Sequence, residues 1–98
     1  MLAPRKKLWA SPIEVIKEAI RFLDIKSNDV VFDIGCGNGD FILECARTTV
    51  ASSVVGVEVE QARCQRIQAI IDSEKMNDRC SVICQNALTV DFSKVSTP

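Results

Sequence analysis

Hydrophobic residues follow two spacings along the chain, one typical of helices and one of buried strands. From Ser11 to about Leu23 the apolar residues recur every three or four positions with charged residues between them, which predicts an amphipathic helix. Ser11, Pro12 and Glu14 form a helix start, because serine caps the first turn, proline needs no N–H there, and glutamate completes a capping box. The inward face is expected to comprise Ile13, Ile16, Ile20 and Leu23.

Three short runs rich in valine and isoleucine predict strands that are buried on both faces. They are Val30 to Ile34, Ser53 to Val59 and Cys80 to Cys84. Helical patterns fill the two gaps, at about Asp40 to Thr48 and about Gln61 to Met76, and Asn77 is a candidate C-terminal cap. This alternation predicts an α/β fold, with a parallel sheet, right-handed crossovers and helices on both faces of the sheet.

Length and charge narrow the class of protein. A chain of 98 residues has room for one small domain, and its 47% hydrophobic content is that of a folded globular protein. The 12 Lys and Arg residues balance 13 Asp and Glu residues, so the overall charge does not favour nucleic acid or an anionic membrane. No apolar run reaches the roughly 18 residues of a membrane span. We interpret residues 1–10 as an N-terminal extension that is not a secretory signal. Its basic run, Arg5 to Lys7, is expected to be solvated.

The cysteines indicate the compartment. Five cysteines, an odd number with no C-x-x-C pair, predict reduced thiols in an intracellular compartment, cytoplasmic or nuclear. The chain has no histidine, so we interpret Cys80 and Cys84 as small buried hydrophobic residues and predict no metal site.

A glycine-rich turn follows the first predicted strand and leads into a helix, where doubly wound sheets bind nucleotides. Gly35, Gly37 and Gly39 allow close ligand approach, and backbone N–H groups are expected to face the ligand. The spacing G-x-G-x-G is one residue shorter than that of dinucleotide-binding enzymes, whose third glycine would fall at Asp40. An acid at that helix start repels a pyrophosphate, so the predicted ligand lacks phosphates.

The ends of the next two strands complete a candidate nucleoside site. Glu58 closes the second strand, where a carboxylate accepts hydrogen bonds from both hydroxyls of a ribose. Val59 is placed to cover one face of a base, and Asn86 and Ala87, just past the third strand, are placed to read its edge. Two alternatives remain at this point: the glycines form a tight turn in a nonbinding domain, or Glu58 is a solvated strand end.

The segment VVFDIGCGNG, from Val30 to Gly39, resembles the first motif of the class I S-adenosylmethionine-dependent methyltransferases, and Glu58 matches their acidic residue. The resemblance implies a Rossmann-like fold, a partial cofactor-binding domain over residues 11–98, and S-adenosyl-L-methionine as cofactor. It implies that Asp33 lies near the cofactor's amino group, a role compatible with capping the following turn, and that Glu58 holds the ribose. The methionine part would be held by Gly35, Cys36, Gly37, Asn38 and Gly39.

Two details qualify the resemblance. Asn86 stands where the family frequently has Asp against the adenine amino group, although an amide oxygen accepts the same hydrogen bond. Residues 9–12 resemble a stretch that some protein-lysine methyltransferases place before their first helix, but a helix cap is the preferred interpretation. The resemblance of residues 9–12 makes protein lysine the first acceptor hypothesis, ahead of RNA or a small molecule. No catalytic residue is assigned.

The length of the chain leaves two function classes open. Family members are usually much longer, and the strand that carries their acceptor-positioning residues would begin after Pro98. We therefore expect either a fragment or a shortened methyltransferase that is inactive by itself, the alternative being a noncatalytic cofactor-binding or interaction module. The family's strand order would leave the first strand at the sheet edge, so we expect the isolated chain to self-associate there or through the neighbouring open helix face.

Overall fold

The computed structural model describes residues 12–91, which form helices and strands in the predicted order. The elements are α1 (Ile13–Leu23), β1 (Val30–Ile34), α2 (Asp40–Thr48), β2 (Ser53–Glu58), α3 (Gln61–Ser73), β3 (Cys80–Cys84) and a 3-10 turn (Ala87–Thr89). The predicted bounds of β1, α2 and β3 are confirmed. No helix within residues 12–91 is long and apolar enough to cross a bilayer.

The three strands form a parallel sheet in the order β1-β2-β3. Val54 in the central strand pairs with Val31 on one side and with Cys80 on the other. Within the part of the chain that the structure describes, β1 is therefore an edge strand, as the family's strand order predicted. The predicted α/β class with a Rossmann-like parallel sheet is confirmed.

The three helices gather on one face of this sheet. Val31, Val54 and Cys80 lie side by side on that face, in one hydrophobic core with side chains from every helix. The helical members include Ile16 and Ile20 of α1, Phe41 and Ile42 of α2, and Ile67 and Ile71 of α3. The prediction of helices on both faces is therefore wrong for residues 12–91. The chain moves from β1 to β2 to β3 in one direction, and right-handed crossovers then place α2 and α3 on the same side.

The start of α1 differs from the prediction. Pro12 is the N-cap and lies before the first turn, and its carbonyl accepts hydrogen bonds from the amides of Val15 (3.0 Å) and Ile16 (3.2 Å). Ser11, the predicted cap, lies outside the described residues. Ile13 is 43% exposed, so the buried stripe of α1 is shorter than the predicted one.

The end of α3 also differs. The helix ends at Ser73, and Lys75, with φ of 57°, takes the left-handed conformation that stops it. The amide of Met76 donates to the Ile71 carbonyl at 3.0 Å, which completes a Schellman-type cap. Asn77 is therefore not the cap, and its side chain instead donates to the Asp72 carboxylate at 2.5 Å.

Arg79, just before β3, holds the C-terminal end of α2. Its guanidinium donates to the carbonyl oxygens of Thr49 (3.2 Å) and Ala51 (2.8 Å), and also to that of Ala46. The last carbonyls of a helix have no partner within the helix, and they carry partial negative charge. A partly buried cation therefore anchors α2 to the start of the third strand.

Candidate binding site at the carboxyl ends of the strands

The predicted site residues lie at one edge of the sheet. The glycine turn follows β1, Glu58 is the last residue of β2, and Asn86 lies two residues beyond β3. In the parallel register, Ile34 pairs with Val57 and Glu58 pairs with Cys84, so the three strands end together. Doubly wound sheets bind ligands in the crevice outside this edge.

The glycine turn has the backbone geometry that only glycine adopts easily. Gly35, Gly37 and Gly39 have φ of 70°, 60° and 80°. Gly39 is also the N-cap of α2, and a Cβ there would lie 2.8 Å from Cγ1 of Ile67 in α3. The turn therefore enters α2 in close contact with α3, as expected from the sequence.

The amides of this turn point into the protein, so the expectation that they face a ligand is wrong for four of them. Gly35 and Cys36 donate to the Val57 carbonyl at 2.7 and 2.9 Å. Gly39 donates to the Cys36 carbonyl at 2.9 Å, and Gly37 donates to a carboxylate oxygen of Glu58 at 2.9 Å. A phosphate-binding turn offers such donors to its ligand. This turn uses the amides of Gly35, Cys36 and Gly37 to attach itself to β2, and the Gly39 amide bonds within the turn.

Glu58 is buried, with 3% of its surface exposed, which rules out a solvated strand end. Its Oε1 accepts the Gly37 amide and its Oε2 accepts the amide of Glu60, each at 2.9 Å. The guanidinium of Arg63 lies 3.8 Å from Oε2. Two backbone donors thus fix the carboxylate, and each oxygen keeps capacity for a further hydrogen bond.

A second buried acid, Asp33, lies on β1 and is also 3% exposed. Cys36 lies close to both acids: burial, followed by the charges of Asp33 and Glu58, raises the pKa of its thiol to about 12. The thiol is therefore neutral at physiological pH, and the nearby charge is negative. Such surroundings favour a ligand that carries positive charge.

Gly56, in the centre of β2, is a site-shaping residue that the sequence interpretation missed. A Cβ there would lie 2.7 Å from Sγ of Cys36 and 2.7 Å from Cδ1 of Ile42. The residue thus makes room for the glycine turn to lie against the sheet. The available signal was a glycine inside a valine-rich strand, which marks a close backbone approach.

Asn38 and Val59 lie on the exposed side of the crevice. The Oδ1 atom of Asn38 accepts a hydrogen bond from Arg66 of α3 at 3.3 Å, a contact that the sequence did not indicate. Val59 lies just outside β2, one residue beyond its observed end, and is 70% exposed. An exposed apolar side chain at this position is available to cover a ligand.

Asn86 and Ala87 begin the 3-10 turn after β3. The Oδ1 atom of Asn86 accepts the Leu88 amide at 2.9 Å, so the side chain caps the turn. The oxygen retains a second lone pair and the amide nitrogen has two N–H donors. Asn86 is exposed and Ala87 half-buried, which places both at the surface beyond Cys84.

The parallel sheet, the glycine turn and the buried acid at the end of β2 define a Rossmann-like α/β domain. Residues 27–96 match the model of a family described as putative methyltransferase, and the chain belongs to this family. Its fold is that of the N-terminal half of the class I S-adenosylmethionine-dependent methyltransferases.

Individual relatives differ in what they methylate. The chain is similar to a protein-lysine N-methyltransferase of Saccharolobus islandicus, with 28% identity over 88% of this chain and 53% of the relative. It is also similar to a 23S rRNA (uracil(1939)-C(5))-methyltransferase of Francisella tularensis, with 35% identity over 66% of this chain and 14% of the relative. The chain thus spans about half of the first relative and a small part of the second.

A solved structure supports the fold. An RNA methyltransferase from Salinibacter ruber, in complex with S-adenosyl-L-homocysteine, superposes with a TM-score of 0.76 and 23% sequence identity. The match covers 85% of this chain and 54% of that chain.

Proposed function

We propose that residues 11–98 form a domain that binds S-adenosyl-L-methionine in the crevice at the strand ends and that serves a methyltransferase. The observation that carries this proposal is the buried Glu58 carboxylate, held by two backbone amides beside the glycine turn. A fixed acceptor of this kind suits the paired hydroxyls of a ribose. Residues 1–10 are the N-terminal extension of this domain.

Each part of the cofactor has a proposed partner. Glu58 accepts the ribose hydroxyls, Val59 covers one face of the adenine, and Asn86 and Ala87 hydrogen-bond its edge. Asp33 lies near the ammonium group of the methionine part, where the two buried acids offset positive charge. The backbone around that part is supplied by Gly35, Cys36, Gly37, Asn38 and Gly39.

The same geometry disfavours a dinucleotide. The amides of Gly35, Cys36, Gly37 and Gly39 are hydrogen-bonded within the protein, so they are not donors for a pyrophosphate. The exposed Asp40 at the start of α2 adds a negative charge where phosphates would lie. S-adenosyl-L-methionine has no phosphate, and its ammonium and sulfonium groups outweigh its one carboxylate, so its net charge is positive.

In the proposed reaction the domain contributes orientation. When bound, S-adenosyl-L-methionine supplies a methyl group on a positively charged sulfur, ready for direct displacement by a nucleophile. The fixed carboxylate and the rigid glycine turn hold the ribose and methionine parts at set positions, which lowers the entropic cost of alignment. We assign no general base among residues 12–91.

For the methyl acceptor we propose a protein lysine. The relative aligned over the larger share of this chain is a protein-lysine methyltransferase, and the balanced overall charge of the chain does not favour RNA. Transfer of labelled methyl groups to lysine-rich protein, compared with transfer to RNA, tests this choice in the methyltransferase that the domain serves. Label in RNA alone would contradict it.

Titration with S-adenosyl-L-homocysteine tests the binding proposal. Glu58→Ala removes the ribose acceptor, and the loss of hydrogen bonds to a charged group lowers affinity about tenfold to a hundredfold. Glu60→Ala is the matched control, because Glu60 is exposed and supports Glu58 through its backbone amide. Equal affinity of a folded Glu58→Ala variant and the wild type would place the ribose elsewhere.

A further inference from the structure

Two cysteine thiols lie beside Glu58, one on α3 and one at the end of β3. Sγ of Cys64 lies 3.3 Å from the Glu58 carbonyl oxygen, and Sγ of Cys84 lies 3.9 Å from that of Val59. These two carbonyls belong to consecutive residues, and Cys84 is the register partner of Glu58 in the neighbouring strand. The pair therefore spans the junction between the start of α3 and the end of β3.

The two thiols differ in access to solvent. Cys84 is exposed, so the expectation from the sequence that it is buried is wrong, whereas Cys64 is buried. Burial, followed by the influence of the neighbouring Cys84 thiol, raises the pKa of the Cys64 thiol to about 12, so almost none of it is thiolate at neutral pH. A soluble oxidant therefore reaches Cys84 first, and Cys64 is the sulfur positioned to react with the product.

We propose that Cys64 and Cys84 form a peroxide-sensitive pair whose disulfide weakens ligand binding in the adjoining crevice; the effect on binding rests on the proposed function. The Cys84 sulfur attacks hydrogen peroxide, the O–O bond breaks, and a sulfenic acid and one water form. The Cys64 sulfur then attacks the sulfenic sulfur, the S–O bond breaks, and the hydroxide that leaves takes the Cys64 proton as a second water. Two thiols thus lose two electrons to one peroxide.

The disulfide is expected to change the contacts that hold the backbone and the carboxylate of Glu58 in place. Oxidised Cys64 has no S–H, so its hydrogen bond to the Glu58 carbonyl is lost. Bringing the sulfurs to about 2.0 Å also pulls the first turn of α3 toward β3. That turn follows Glu60 and contains Arg63, both of which contact the Glu58 carboxylate. We expect affinity for S-adenosyl-L-homocysteine to fall about tenfold, the effect of weakening one hydrogen bond to a charged group.

The test combines peptide mapping with calorimetry on the 98-residue chain treated with hydrogen peroxide at low concentration. The expected product is an intramolecular disulfide-linked peptide pair that joins Cys64 to Cys84, and reduction restores affinity for S-adenosyl-L-homocysteine.

Cys84→Ser is the control, since an exposed thiol is replaced by a hydroxyl of similar shape. This variant should form no linked pair and should keep its affinity after peroxide treatment. In Cys64→Ala, the Cys84 sulfenic acid persists and reacts with dimedone. Absence of the cross-linked pair, or equal affinity of the reduced and disulfide forms, would overturn the proposal.

Failure of the proposed function is distinguishable from failure of this inference. A reduced chain that does not bind S-adenosyl-L-homocysteine would contradict the proposed function alone. The amide resonance of Gly37 then reports on the pair, because this amide donates to Glu58. It is expected to shift on oxidation of the wild type and to stay in place in Cys84→Ser. A disulfide that forms without moving this resonance would contradict the inference.

Discussion

The carboxylate of Glu58 holds the backbone of Gly37, whose amide donates to Oε1 at 2.9 Å. The residue that we assign to the ribose is therefore also part of the structure of the glycine turn. Because both groups are buried, this contact links the end of β2 to the turn that follows β1. A change at Glu58 is expected to alter the stability of the turn as well as ligand affinity.

Glu58→Gln tests that structural role without a ligand. Both carboxylate oxygens accept backbone amides, and a glutamine must present an N–H donor to one of them. An unsatisfied buried donor costs about 1–3 kcal/mol of unfolding free energy. Urea unfolding measures this loss, and hydrogen exchange at the Gly37 amide should accelerate. Glu60→Gln is the exposed control; equal stability of the two variants would contradict the assigned role.

The comparison of sequence and structure shows which features local patterns determine. The bounds of β1, α2 and β3 were predictable because apolar runs end there at glycine or polar residues. The end of α3 was not, because the left-handed conformation at Lys75 is stabilised by a hydrogen bond from Met76 to Ile71. Lysine carries no local signal for such a cap.

The position of the candidate site residues at one edge of the sheet was predictable, but their hydrogen bonds were not. Glycine spacing and the strand-end acid identified the turn and Glu58 from sequence alone. The direction of the turn's amides depends on the Val57 carbonyl, which a nonlocal strand pairing brings into place. The contact of Arg66 with Asn38 likewise depends on how α3 packs. Tertiary packing decides these features.

Gly39→Ala is expected to destabilise the domain by about 2–4 kcal/mol, combining left-handed strain with overpacking. Its φ of 80° disfavours a side chain, and the added methyl group would lie 2.8 Å from Cγ1 of Ile67. Urea unfolding measures the loss. The double variant Gly39→Ala with Ile67→Ala removes Cγ1, Cδ1 and Cγ2 of Ile67, the three atoms nearest the added methyl group, so the two effects should be less than additive. Strict additivity would show that the predicted contact is absent.

Arg79→Met should destabilise the domain by about 2–3 kcal/mol, because a charged donor to the carbonyls at the end of α2 is lost. Thermal and urea unfolding check this value. Arg21→Met is the matched control: its ion pair with Glu18 is exposed and contributes less than about 1 kcal/mol. Similar losses in both variants would refute the anchoring role of Arg79.

We expect the isolated 98-residue chain to form a dimer or larger assembly. β1 lies at the edge of the sheet within residues 12–91, and α1 presents apolar side chains to solvent, including Phe22 at 89% exposure. Light scattering across a dilution series measures the assembly, and Phe22→Lys should weaken it if α1 forms the contact. A stable monomer at high micromolar concentration would contradict the expectation.

The central claim is that the crevice beside Glu58 binds S-adenosyl-L-methionine, and calorimetric titration of the chain with three ligands tests it most directly. S-adenosyl-L-methionine and S-adenosyl-L-homocysteine should each bind at one site per chain, and both more tightly than NAD. The inward-facing amides of the glycine turn and the acid at Asp40 leave NAD without a place for its pyrophosphate. Tight NAD binding, together with no response to either methionine nucleoside, would contradict the account.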